Sequence, residues 1–134
     1  MTADLLFVYG TLRGDSGQPM HAELARVAAL VGRAVFRGRL YWIRDYPGAV
    51  ASDDPADRVH GEVYRLHDPA RTIPALDEYE GCGPGFGDSE FERVEADVAL
   101  ASRDTVRAWI YVYRKPTREL TRIASGDFLG ARLE

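Results

Sequence analysis

A chain of 134 residues has room for one domain, here 1–134, with a single hydrophobic core. Its net charge of −4, with no run of lysine or arginine, argues against a nucleic-acid partner, because phosphate binding needs a basic footprint. No apolar stretch approaches a membrane span and no signal-peptide pattern opens the chain, so no membrane partner is expected and a cytoplasmic location is the default. The lone Cys82 rules out an internal disulfide and a cysteine-cluster metal site, and His21, His60 and His67 lack ligand spacing, so no metal is expected.

In chain order, Leu5 to Tyr9 is a continuous apolar run that reads as a strand buried on both faces. Gly10 predicts a sharp turn through φ values that a side chain resists. The N–H groups after such a turn have no ladder partner and are free to hold an anionic or carbonyl oxygen. Gly14 to Pro19 reads as a loop. From Met20, apolar residues at spacings of three and four predict a helix ending near Gly32. Two short strands follow, Ala34–Ile43 and Gly48–Ala51, divided by a turn at Tyr46-Pro47-Gly48.

Asp53 to Asp57 reads as a solvated loop, and Val59–Leu66 as a strand that places Val59, Gly61 and Val63 opposite His60, Glu62 and Tyr64. After a turn at Asp68-Pro69, a short helix is expected from Ile73 to Glu80, capped by Thr72 and stopped by Gly81. Cys82 to Ser89 is a glycine-rich loop. Phe91–Leu100 and Thr105–Arg114 both alternate apolar and polar residues and read as a hairpin joined at Ser102-Arg103-Asp104. The last twenty residues are mostly polar, with a helical turn near Asp127–Leu129. Strands and helices do not alternate regularly, so a doubly wound sheet is excluded. The expected class is α+β, a curled mixed sheet or small barrel with flanking short helices.

Glu80 stands out among the acids. On a helix it shares the face of Ile73 and Leu76, the two residues this helix would bury, whereas Glu78 points to solvent. Partial burial and the negative end of the helix dipole both favour the neutral carboxyl and raise its pKa. A carboxyl that exchanges protons near neutrality is suited to general acid–base work.

Several motifs stand in a specific order and spacing: Phe7-Val8-Tyr9-Gly10-Thr11-Leu12-Arg13, Tyr46-Pro47 and Val59-His60-Gly61-Glu62-Val63-Tyr64. They continue with Leu76-Asp77-Glu78-Tyr79-Glu80-Gly81, Phe91-Glu92-Arg93 and Ala108-Trp109-Ile110-Tyr111. Through them the chain resembles the γ-glutamylcyclotransferase-like superfamily, and in particular its γ-glutamylamine cyclotransferase (AIG2-like) branch. The resemblance implies a small mixed β-barrel, a substrate-binding loop at Tyr9, Gly10, Thr11 and Leu12, and a catalytic glutamate at Glu80. It also implies a reaction without cofactor. The free α-amine of a small-molecule γ-glutamyl substrate attacks its own side-chain amide, closing 5-oxoproline and releasing an amine.

One carboxyl group can take the proton from the attacking amine and return it to the leaving one. Thr11 has no histidine or lysine in a partnering position, so its hydroxyl is read as a substrate hydrogen-bonding group rather than a nucleophile. Phe91 stands where relatives often have tyrosine, and the glycine-rich 81–87 segment is unusual; both bear on which amine leaves. Two other readings keep the fold: removal of a γ-glutamyl protecting group within a biosynthetic pathway, and a non-catalytic small-molecule-binding module.

Overall fold

In the computed structural model, the described residues are 4–10, 24, 26–43, 46–79 and 89–128, with only the backbone described at Tyr79. They form strands β1 (Leu5–Val8), β2 (Ala28–Trp42), β3 (Pro47–Ala51), β4 (Arg58–Leu66), β5 (Phe91–Leu100) and β6 (Thr105–Tyr113), with helix α1 (Pro69–Tyr79) between β4 and β5. The strands close as β1–β4–β2–β5–β6 and back to β1, while β3 bridges the second half of β2 to β6. The expected small mixed barrel is therefore present.

Period-two alternation divides the apolar residues between two cores. Inside the barrel lie Phe7, Phe36, Val63, Val98 and Ile110, and Ile123 and Phe128 pack into the same cluster from the C-terminal tail. Outside it, Leu6, Val8, Tyr64 and Tyr111 pack against Ile73 and Leu76 of α1. This is why Leu5–Val8 reads as a strand buried on both faces: its odd residues face inward and its even residues face the helix. Burying Ile73 and Leu76 contributes roughly 1.5–3 kcal/mol each, which holds α1 to the barrel.

Four expectations are corrected. The helix predicted up to Gly32 stops earlier: Leu24, Arg26 and Val27 are helical, and Ala28 already begins β2. Residues 28–30 pair with Leu66, Arg65 and Tyr64, and the register shifts between Leu30 and Gly32. Apolar residues at 27, 28, 30 and 31 fit either period, and the long-range ladder with β4 decides between them.

Helix α1 starts four residues before the predicted Ile73. The Asp68 carbonyl accepts from Arg71 N at 3.2 Å and Thr72 N at 3.0 Å, so Asp68-Pro69 is a cap followed by a first-position proline, not a separate turn. Thr72 is buried within the helix, which runs through Pro74.

Asp57 is not solvated. It is buried, and its carboxylate accepts from Ser52 Oγ at 2.6 Å, Arg39 Nε at 2.8 Å and Arg122 Nη2 at 2.7 Å. The Ser52 hydroxyl first, then the two guanidinium groups, hold its pKa well below the usual carboxylate range. The bond to Asp57 likewise raises the Arg39 pKa. Through Arg122 this cluster ties the tail to β2, reinforcing the bridge between Tyr41 and Arg122.

Finally, Gly10 does not adopt a positive φ. A Cβ there would stand 3.2 Å from Pro47 Cγ, so close approach to another segment, rather than a left-handed turn, is what favours glycine.

Candidate active site

The strand register places four residues in one row across the outer face of the barrel. Glu62 of β4 pairs with Val8 of β1, and Arg93 of β5 pairs with Tyr111 of β6. The parallel pair Leu6–Trp109 sets Val8 beside Tyr111, two residues further along both strands. The row lies beneath the C-terminal half of α1 and one residue before Tyr9-Gly10.

Asp77 fastens the helix to this row. Its Oδ1 accepts from Arg93 Nε at 2.8 Å and from the Tyr111 hydroxyl at 2.6 Å, and its Oδ2 accepts from Arg93 Nη2 at 3.1 Å. The Arg93 guanidinium also lies 4.3 Å from the centre of the Trp109 ring. The last turn of α1 contains no basic residue, so its acids face the negative end of the helix dipole uncompensated by the helix itself. Arg93 supplies the missing cation from the neighbouring strand. The fork geometry fixes position as well as charge.

Further toward the end of the barrel, Phe91 packs between Tyr46 and Tyr113, with ring centres 6.2 and 5.7 Å away. The Tyr46 hydroxyl donates to Glu90 Oε1 at 2.7 Å, and Arg114 Nη1 donates to the Ser89 carbonyl at 3.0 Å. These bonds anchor the chain as it enters β5. Pro47, next to Tyr46, is the residue against which Gly10 rests. The end of β1, the Tyr46-Pro47 corner, the Phe91–Tyr113 wall and the clamped end of α1 thus gather at one end of the barrel.

Of the sequence-predicted site residues, Tyr9 and Gly10 lie in this region. Tyr9 is 7% exposed and its ring points into the inner core. Its hydroxyl donates to the Tyr111 carbonyl at 2.6 Å and accepts from Ala49 N at 3.2 Å. It therefore spans the narrow junction of β3 and β6, which pair at Ala49–Val112. Thr11, Leu12 and Glu80 lie outside the described residues, as do Gly81 and the glycine-rich segment to residue 88. Sequence reading missed the clamp. Nothing in the local pattern marks Asp77 and Arg93 as partners; the salt bridge needs the fold to bring residues 16 apart together.

The family profile "Gamma-glutamyl cyclotransferase, AIG2-like" matches residues 6–130. The chain belongs to this family. Among its relatives, the "Gamma-glutamylcyclotransferase family protein YtfP" of Escherichia coli K12 is 34% identical over 125 residues, covering 92% of this chain and 95% of that protein. The "Gamma-glutamylaminecyclotransferase" of Bos taurus is 35% identical over 117 residues, covering 79% of this chain and 63% of the bovine protein. The solution structure of ytfP from Escherichia coli superposes with a TM-score of 0.64 at 33% identity, covering 96% of this chain and 98% of that one. No helix among the described residues is long and apolar enough to cross a membrane. Nor do the described residues contain a group of three or more side chains able to hold a metal ion.

Proposed function

We propose that this family member is a γ-glutamyl cyclotransferase that converts a γ-glutamyl amide into 5-oxoproline and a free amine. The observation that carries the reading is the family match over residues 6–130, which takes in both Tyr9–Leu12 and Glu80. The Asp77–Arg93 fork supports it. Glu80 is the third residue after Asp77, so a helix end pinned to the row beside β1 starts its chain from a fixed point.

In this mechanism Glu80 takes a proton from the substrate's α-amine, and the amine nitrogen attacks the γ-carbonyl carbon. The new C–N bond closes the ring and places negative charge on the carbonyl oxygen, which the backbone N–H groups of the Gly10–Leu12 segment stabilise. Collapse of the intermediate breaks the original amide C–N bond. The leaving nitrogen then receives the proton from Glu80. Nucleophile and electrophile belong to one molecule, so holding the substrate in a ring-ready conformation supplies much of the rate enhancement.

The purified chain should release 5-oxoproline and stoichiometric amine from at least one member of a panel of γ-glutamyl amides, followed by chromatography of both products. Glu80→Gln should abolish release while the far-ultraviolet circular dichroism spectrum stays unchanged. Full activity in that variant would remove Glu80 from the mechanism, and an inactive wild-type chain across the panel would remove the reaction.

A further inference from the structure

The outer face of β2, β4 and β5 forms an open groove of about 1050 Å³. In a chain whose net charge is −4, this groove is lined by Arg33 and Arg37 of β2, Arg58 of β4 and Arg103 of the β5–β6 hairpin. All four side chains are exposed, and none makes a salt bridge or side-chain hydrogen bond among the described residues. Among the described residues three carboxylates reach the groove, and two of them are held by arginines outside it. Asp57 is held by Arg39 and Arg122, and Asp97 pairs with Arg107 at 3.3 Å. Asp127 is the third, so three acids stand against four guanidinium groups at the groove.

One local rule of chain stability is broken at this groove. Arg37 and Arg58 are register partners across the β2–β4 ladder, and like charges placed directly opposite destabilise a sheet. Arg103, with φ at 77°, is the left-handed residue of the hairpin turn closed by Arg103 N to the Leu100 carbonyl and Leu100 N to the Asp104 carbonyl, and this turn brings its side chain to the groove. A departure from local preference without a structural return is characteristic of a binding site. A multiply charged anion would provide the return, since it would sit between the opposed guanidinium groups.

The floor of the groove narrows the ligand class. Val35 and Ala99 pair across β2 and β5, and Val35 faces His60 across β2 and β4. Among the described residues, no phenylalanine, tyrosine or tryptophan lines the groove, so they offer no platform for stacking a nucleobase. Arg33 and Arg37 are four residues apart on one strand, roughly 13 Å, a separation that suits a chain of charged groups better than a single one. Guanidinium forks match phosphoryl oxygens in geometry as well as charge.

We propose that this groove is a second binding site, separate from the cyclisation site, for a compact anion of linked phosphoryl groups. Such groups occur free or as the phosphate tail of a nucleotide.

The test is isothermal titration calorimetry of the full chain with inorganic tripolyphosphate, ATP, adenosine and citrate at low and physiological salt. Saturable one-to-one binding of tripolyphosphate, weakening as salt is raised, is the expected result. ATP should bind within about threefold of tripolyphosphate and adenosine should not bind. The Arg37→Gln/Arg58→Gln double variant should lose at least tenfold in affinity while its circular dichroism is unchanged and its thermal midpoint holds or rises, since the opposed charges are gone. Arg65→Gln, which removes an exposed arginine elsewhere on the barrel, should bind as wild type does. No saturable binding, or an equal loss in Arg65→Gln, would overturn the site. Citrate binding as tightly as tripolyphosphate, or measurable adenosine binding, would overturn the phosphoryl assignment.

Discussion

The clamp between Asp77 and Arg93 offers the sharpest test of how the fold prepares the proposed active site. Asp77→Ala removes an acceptor of three bonds, two from the Arg93 fork and one from the Tyr111 hydroxyl. Exposed ion pairs are worth up to about 1 kcal/mol, whereas breaking a fully buried pair costs about 3–5 kcal/mol. The two side chains are 21% and 23% exposed, which places this pair between those limits, at about 2 kcal/mol. For a chain of this size, that loss lowers the thermal midpoint by roughly 6–10 °C.

A double-mutant cycle with Arg93→Ala isolates the pair from the contact of Arg93 with Trp109, and should return a coupling energy of about 2 kcal/mol. The functional reading adds a second outcome. If the clamp positions the end of α1, then kcat for 5-oxoproline release should fall by roughly 10-fold or more in Asp77→Ala while KM changes little, because the loss is one of alignment. A coupling energy below about 0.5 kcal/mol would refute the stability argument. An unchanged kcat in a folded, destabilised variant would confine the clamp to stability alone.

Tyr9→Phe should lower stability by about 1–3 kcal/mol in chemical denaturation, because it leaves the Tyr111 carbonyl and Ala49 N–H buried without their shared hydroxyl partner. A neutral result would show that the β3–β6 junction does not depend on this bridge. Asp57→Asn addresses pH dependence. The folded-state pKa of Asp57 is depressed, so its contribution is fully present above the unfolded value of about 3.8 and is lost as pH falls toward the folded value. The variant should therefore be less stable than wild type at pH 7, and the gap should close under strong acid. A gap of constant size from pH 7 to pH 2 would disconnect the cluster from acid unfolding.

Much of the barrel was legible in the chain because its strands carry their own period. In Phe91–Leu100 and Thr105–Tyr113, strict alternation assigned Val98 and Ile110 to one face and Arg93 and Tyr111 to the other. The same logic failed where apolar spacing was ambiguous. Ala28 to Val31 satisfies a helical pattern locally, and only the ladder with β4, more than thirty residues away, makes it a strand. Asp57 was misread for a related reason: an acid beside proline and two other aspartates looks solvated until Arg39 and Arg122 arrive from elsewhere in the chain.

The sequence by itself determined the strand faces, the family and the residues on which the proposed chemistry rests, since each is written in local order and spacing. Tertiary structure alone decided what each side chain is set against. It turned the Tyr9 hydroxyl into a bridge between two strands, Asp77 into the fastening of a helix end, and four arginines from three separate segments into one groove. Charge pairing and hydrogen bonding act over a few ångströms of space, whatever the distance along the chain, and closing the barrel is what brings those partners within reach.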